Sequence, residues 1–456
     1  MTARFLTIAA LAALSACALP HTPPALPPVT APAPAPAPAP APPATTGVAA
    51  APRAPVTILV SIDGFRPDYL DRGVTPHLSH LAATGVSAAM RPSFPSKTFP
   101  NHWTLVTGLV PDHHGITANS MEDPARPGET FTMATDDPFW WNAAEPIWVT
   151  AERAGLRTAT MFWPGSNVAW GGTRAAAWPH ETTGGTRPSD WQQYAEAASD
   201  RQRVDGIIDW LRRPAATRPQ FLTLYFEEVD TAGHRFGPAD PRTTHAVAAA
   251  DAAIGRLTAE LAGLGQPANL VIVSDHGMAP TDSRRTVALD TVVAATDARV
   301  VESGPYATLA PLPGRDAAVA AALLRAHPHM RCWRKGELPA RLRYGTSPRI
   351  PPYLCLGEDG AGGGWTIAKT TPTRQVSDGA HGFDNDAPDM RALFIASGPA
   401  FMPGKRLPTF DNTDVAPLLR DLLGLPAGQG LDGSDKPFRG VLRAGPQRAG
   451  LPHAQR

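Results

Sequence analysis

Four stretches of the chain are apolar without alternation: Val56 to Ile62, Phe221 to Phe226, Asn269 to Ser274 and Ala392 to Ala396. Such runs predict strands covered on both faces, as in a parallel sheet packed between helices, because a strand with one wet face would alternate. Helix-like stretches fall between them, over Pro76 to Thr84, Pro146 to Ala154, Arg201 to Leu211 and Thr243 to Leu264. The succession is that of an α/β protein. Residues 282–369 read differently, as short mixed pieces with several prolines and a glycine run, and predict an inserted α+β subdomain. The main domain is then 56–281 together with 370–440, and 441–456 is expected to be a flexible tail.

The first 55 residues predict no part of this fold. Arg4 precedes an apolar run from Phe5 to Leu14 that is too short to span a membrane and has the anatomy of a signal peptide, residues 1–16. Leu14-Ser15-Ala16-Cys17 resembles a bacterial lipobox, which implies cleavage before Cys17 and lipidation of its thiol; the alternative is an ordinary signal peptide with an incidental cysteine. Ala18, by resemblance to the bacterial sorting pattern, implies an exported lipoprotein of the outer membrane facing the periplasm. The rest of residues 17–55 is almost only Ala, Pro and Thr, and predicts an extended spacer of roughly 100 Å or less, at about 3.1 Å per residue.

Composition narrows the function classes. With 41 basic and 41 acidic side chains the formal charge is zero, which argues against binding driven by counterion release from a phosphate backbone. A hydrophobic fraction of 43% permits a large core, and 3 cysteines exclude both a disulfide scaffold and a cysteine-rich zinc module. In an exported protein Cys332 and Cys355 can pair, or they remain two buried thiols.

Candidate chemistry gathers where the strands end. Asp63 follows the first strand, Asp230 and His234 follow the second, and Asp275-His276-Gly277 follows the third. Ligands of open parallel sheets bind beyond the carboxyl ends of the strands. His381, in a glycine-flanked loop, adds an imidazole. Carboxylates and imidazoles without cysteine suit Zn2+, and less specifically Mn2+ or Fe2+. Each residue also has a plain reading: an Asp after a strand caps a helix, and Gly233 is expected to break the helix that would align Asp230 with His234. Thr98 precedes a helix-like segment from Trp103 to Gly108, so its hydroxyl is either a cap or a nucleophile beside a metal.

Four ordered motifs, Thr98-Phe99-Pro100-Asn101-His102, Asp230-Thr231-Ala232-Gly233-His234, Ser274-Asp275-His276-Gly277-Met278 and Gly379-Ala380-His381-Gly382-Phe383-Asp384-Asn385, resemble the nucleotide pyrophosphatase/phosphodiesterase family of the alkaline phosphatase superfamily. The resemblance runs from about Val56 to Leu425. It implies an alkaline phosphatase-like central, mostly parallel sheet flanked by helices. It also implies two Zn2+ ions, one held by Asp230, His234 and His381, the other by Asp63, Asp275 and His276, with Thr98 as nucleophile between them. Asn119, 21 residues after Thr98, matches the family asparagine that donates to a phosphate oxygen. Phe99 and Tyr225 match aromatic positions that sandwich a nucleobase, or are core residues; Tyr194 is a third candidate, and Trp163 is read as structural. His102, His113 and His114 are read as supporting residues.

The implied activity is zinc-dependent hydrolysis of nucleotide phosphodiesters in two displacements through a phosphorylated threonine, with net retention at phosphorus. The alternatives are a phosphomonoesterase of the same superfamily, for which Lys97 beside Thr98 speaks, a lipid head-group phosphodiesterase, and a non-catalytic metal-binding surface lipoprotein. A sulfatase would need Cys or Ser where Thr98 stands.

Overall fold

A computed structural model describes residues 53–360, 363–372 and 377–443. The signal segment, Cys17, nearly all of the Pro/Ala-rich stretch and the tail from residue 444 onward lie outside the described residues.

A nine-stranded sheet forms the centre. Its order is Lys405–Arg406, Val86–Arg91, Ala392–Ser397, Ala268–Val273, Val56–Ile62, Phe221–Phe226, Thr158–Met161 and Asp190–Gln192, with Phe410–Asp411 also paired to Val86–Arg91. Val56–Ile62 lies between two parallel neighbours, Phe221–Phe226 and Ala268–Val273, and all seven of its residues are buried. Its side chains divide between two cores, as a period of two requires. Leu59 packs with Trp103, Val106, Trp148 and Leu418 on one face. Ile58, Val60 and Ile62 pack with Leu78, Ile207, Ile254 and Leu257 on the other. Helices therefore cover both faces, the condition that unalternating runs report.

One of the four sequence-predicted strands departs from the parallel pattern. Ala392–Ser397 runs antiparallel to both of its neighbours, Ala268–Val273 and Val86–Arg91. A strand buried on both faces reads the same in either direction, so periodicity carries no information about its polarity. The consequence is functional, because the amino end of this strand lies at the edge where the others present their carboxyl ends.

Residues 286–368 carry a separate four-stranded antiparallel sheet in the order Ala298–Glu302, Tyr306–Pro311, Tyr353–Gly357 and Met330–Arg334, with the helix Asp316–Leu323 packed on it. At its base Thr286–Ala288 pairs with Thr366–Ala368. Cys332 stands opposite Cys355 in register, and the two sulfurs are bonded. Closing this loop removes conformational freedom from the unfolded chain. Replacing both cysteines by serine is expected to lower unfolding free energy by about 3 kcal/mol in urea titrations; an unchanged midpoint would show that the bond contributes nothing to stability.

Candidate active site

The edge formed by the carboxyl ends of the parallel strands collects the polar residues. Val56–Ile62 runs straight into Asp63, and Ala268–Val273 into Ser274, Asp275 and His276. Phe221–Phe226 is followed by the helix Glu228–Phe236, which carries Asp230 and His234. The antiparallel strand contributes from its amino end: Ser274 N–H donates to Leu393 O, Gly277 N–H donates to Met390 O, and His381 arrives in the loop upstream. Gly64 has φ +67°, and a Cβ there would lie 2.9 Å from Asp230 Cα, so only glycine lets the turn after Asp63 seat against the helix bearing Asp230.

Gly233 does not break that helix, contrary to the sequence expectation. Its bare Cα receives the Met278 side chain, whose Cε would stand 3.0 Å from a Cβ. An interior glycine costs only about 1 kcal/mol, which this packing offsets. Asp230 and His234 consequently share one face at i, i+4, with His234 Nε2 3.5 Å from Asp230 Oδ1.

Each histidine commits Nδ1 to a backbone carbonyl: His234 to Gly379 O at 2.8 Å, His276 to Gly277 O at 2.9 Å and His381 to Ser96 O at 2.9 Å. A carbonyl only accepts, so Nδ1 carries the proton and Nε2 turns its lone pair toward the carboxylates. His276 Nε2 is 2.9 Å from Asp275 Oδ2 and 3.5 Å from Asp63 Oδ1, and His381 Nε2 is 3.6 Å from Asp230 Oδ1. Asp63 Oδ1, Asp230 Oδ1 and Asp275 Oδ2 are buried without a hydrogen-bond donor. Lone pairs facing donorless carboxylates in a dry site could hold a cation between them, and this donor set suits a zinc-like divalent ion.

Among the described residues two groups have ligand atoms within 4.8 Å of one another. Asp63, Asp275 and His276 form the first, which is one set the family resemblance implies. The second is Asp230, His276 and His381, in which His276 takes the place expected for His234. The His276 and His381 rings stack 3.5 Å apart at 12°. His234 lies alongside, its ring 4.9 Å from that of His381.

Burial, then the carboxylates of Asp275 and Asp230, push Asp63 well above the usual carboxylate range. Burial, then Asp230, does the same to Asp275. Tyr225 donates its hydroxyl proton to Asp63 Oδ2 at 2.7 Å, and burial, then the Asp63 charge, holds that phenol well above its ordinary value, so it stays a donor.

Thr98 is the first residue of the helix Thr98–Thr107, which begins five residues before the predicted segment, and no side chain caps that helix. Its hydroxyl oxygen lies 3.3 Å from His276 Nε2 rather than serving as a cap. The loop before it is held by Asn101, whose Nδ2 donates to Pro95 O and Lys97 O at 2.9 and 2.8 Å and whose Oδ1 accepts from Ser93 N–H and Asn412 Nδ2, both at 2.8 Å. With all four positions of this amide filled, the loop has one conformation. Asn119 Oδ1 accepts the Phe99 N–H at 2.9 Å, which leaves its NH2 as donor beside Thr98.

His102 donates from Nδ1 to Thr98 O at 2.9 Å and accepts from the Ser61 hydroxyl at 2.8 Å, tying the helix to the strand that ends on Asp63. Burial holds His102 down to about 3, so it is neutral. His114 bonds Thr104 and the Ile116 N–H inside the fold, and His113 meets Asp432 at the surface.

A cavity of about 420 Å3 opens beside Thr98, Asp63 and Asp230, walled by Phe99, Trp141, Phe162, Trp163, Tyr194 and Tyr225. Phe99 is half-buried at its rim, and Tyr194, 47% exposed, is steadied by a bond from its hydroxyl to Glu227 at 3.1 Å. Glu227 is in turn gripped by the buried Arg203. Tyr225 is both a wall of the cavity and a buried residue of the core, which joins its two sequence readings. Trp163 is 2% exposed and donates to His102 O at 3.3 Å. Sequence reading missed Trp141, Phe162, Ser61 and the Arg203–Glu227 pair. The run Phe139-Trp140-Trp141 was the available signal for the first, whereas a buried Ser or Arg leaves no periodic trace.

The sequence profile of the type I phosphodiesterase / nucleotide pyrophosphatase family matches residues 57–384. The chain belongs to that family. Members are hydrolases of phosphodiester and pyrophosphate bonds, and this chain is such a hydrolase. It is 37% identical over 376 residues to the bis(5'-adenosyl)-triphosphatase of Xenopus laevis, a match covering 81% of this chain and 78% of the relative. Human ectonucleotide pyrophosphatase/phosphodiesterase 5 superposes with a TM-score of 0.78 at 33% identity, over 85% of this chain and all of that one. The murine counterpart, solved as an inactive threonine-to-alanine variant in complex with AMP, gives a TM-score of 0.77 at 32% identity, over 86% of this chain and all of that one.

Proposed function

We propose that the chain hydrolyses nucleotide phosphodiesters and pyrophosphates with Thr98 as nucleophile and two zinc ions as cofactors. The observation that carries this reading is the ring of donorless buried carboxylate oxygens and inward-facing imidazole nitrogens beside the Thr98 hydroxyl. Asp230, His234 and His381 would hold one ion, and Asp63, Asp275 and His276 with Thr98 the other, His276 bordering both. When bound, two such ions supply Lewis acidity: they lower the pKa of a hydroxyl or water and offset charge on the departing oxygen.

The chain's own residues do the rest. Thr98 gives up its hydroxyl proton to solvent and Oγ1 forms a bond to phosphorus as the bond from phosphorus to the leaving oxygen breaks, giving a covalent threonine ester and a leaving group that takes up a proton from solvent. Water then adds its oxygen to the same phosphorus as the bond to Thr98 breaks, releasing one proton to solvent while Thr98 Oγ1 takes one up. Each displacement inverts, so configuration is retained overall. Asn119 donates from Nδ2 to a non-bridging oxygen, and Tyr225 and His102 keep Asp63 and Thr98 in place. Phe99, Tyr225 and Tyr194 form the nucleoside pocket; the AMP bound by the murine relative supports a nucleotide.

Residues 56–281 and 370–440 make the catalytic domain in this reading and 282–369 the insert. The amino-terminal features support export and a lipid anchor on Cys17, with the spacer holding the domain off an outer membrane that it faces from the periplasm.

Comparing kcat/KM for a nitrophenyl ester of thymidine 5'-monophosphate with that for nitrophenyl phosphate tests the reading. A diester preference of about 10^3-fold or more is expected, since among the described residues the Thr98 hydroxyl is met by His276 and by no arginine that could meet a second phosphate charge. A monoester preference would make the protein a phosphatase.

A further inference from the structure

Arg203 lies on the helix Asp200–Arg212, and its side chain is fully buried. Burying a guanidinium costs desolvation that its partners must offset, so an apolar side chain of that size would serve the core as well. The partners lead to the aromatic cavity. Nη1 donates to Tyr225 O at 3.0 Å, and Nη1 and Nη2 together grip the Glu227 carboxylate as a fork, Nη2 to Oε1 at 2.7 Å. That same Oε1 accepts the Tyr194 hydroxyl. The guanidinium carbon stands 5.0 Å from the centre of the Phe162 ring, and Nε donates to Ala198 O at 2.9 Å. Among the described residues, none of these hydrogen bonds reaches Thr98 or a metal-binding side chain.

Two of the cavity walls need such support. Tyr194 lies in residues 193–199, a stretch without helix or strand, whose far end is the Ala198 carbonyl that Arg203 also holds. An exposed tyrosine on an irregular stretch has side-chain freedom to lose when it packs on a ligand, and the bond to Glu227 removes that freedom beforehand. Phe162 has φ +64°, a conformation that a bulky residue keeps only where its surroundings dictate it. It also separates the cavity from a second one of about 390 Å3, lined by Met161, Gln202 and Trp210. With open space on either side, the ring is held by its contacts with the guanidinium and, edge-on at 5.8 Å, with Tyr194.

We propose that Arg203 is a positioning residue for the nucleoside: it fixes Tyr194 through Glu227 and Phe162 through the ring face, and so sets the preference for nucleotide esters over phosphodiesters that lack a nucleoside. The proposal deepens the nucleotide reading of the site and rests on it.

The test compares kcat/KM for the nitrophenyl ester of thymidine 5'-monophosphate with that for methyl nitrophenyl phosphate in the full-length, zinc-loaded protein. Both substrates release the same nitrophenol, so their ratio reports the nucleoside contacts alone. Arg203→Met is expected to lower the ratio about tenfold or more, through a raised KM for the nucleotide ester. Arg203→Lys keeps the charge but loses the fork, and is expected to lower it about threefold or more; it carries the test if Arg203→Met does not fold. Tyr194→Phe should lower the ratio about threefold in the wild-type background and have little further effect on Arg203→Met, because the two act through one chain of bonds. Equal losses on both substrates would overturn the proposal, since a merely structural arginine moves them together, and so would full additivity of the two substitutions. A wild-type protein without preference for the nucleotide ester would instead fail the nucleotide reading itself, and this inference with it.

Discussion

Thr98→Ala is expected to reduce kcat for nucleotide diesters by at least about 10^3-fold while leaving bound zinc and the unfolding midpoint close to wild type. The expectation follows from where the hydroxyl sits. It is 3.3 Å from His276 Nε2, at the head of a helix whose loop is fixed by Asn101, and it caps nothing. In the proposed mechanism its removal deletes the nucleophile, and no helix cap is lost with it. The metal-binding set loses at most one weak ligand, because Asp63, Asp275 and His276 still lie within 4.8 Å of one another. Metal analysis and a single-turnover assay on the same sample decide the matter. Turnover within tenfold of wild type would remove Thr98 from the reaction, and loss of zinc along with activity would make it chiefly a ligand.

His381→Ala is expected to have the second largest effect, and through a different quantity. Bound zinc should fall from about two equivalents to about one, with activity dropping by at least about 10^2-fold. His381 is 3% exposed, and its Nδ1 is anchored on Ser96 O, two residues before Thr98. The substitution therefore removes the inward Nε2 and also leaves Asp230 Oδ1, which has no hydrogen-bond donor, with one imidazole fewer to share a cation. Two equivalents retained in His381→Ala would move that ligand elsewhere, and His276, which belongs to both groups, would be the residue to examine next.

The sheet was legible because its strands are buried on both faces and so write unbroken apolar runs; Val56–Ile62 is the plainest case. Polarity was not, and Ala392–Ser397 shows why: burial is indifferent to direction. The clustering of Asp63, Asp230, Asp275 and His276 could be foreseen from their places at strand ends, since topology brings those ends together. His381 could not be placed that way, because it reaches the edge through the amino end of the antiparallel strand. The helix through Gly233 was misjudged because propensity is local, whereas the Met278 side chain that fills the space is brought from another loop. The cavity wall was half visible: Phe99 and Tyr225 stood in or near the motifs and Tyr194 was a third candidate, while Trp141 and Phe162 come from segments whose apolar character serves the core equally well.

The central claim is that phosphorus is bonded to Thr98 midway through the reaction. Hydrolysis of a P-chiral nucleotide phosphorothioate diester in oxygen-labelled water, read by phosphorus NMR of the product, tests it most directly. Two successive inversions at one phosphorus predict a product of retained configuration. A product of inverted configuration would mean that water displaces the leaving group in a single step, and would contradict the account.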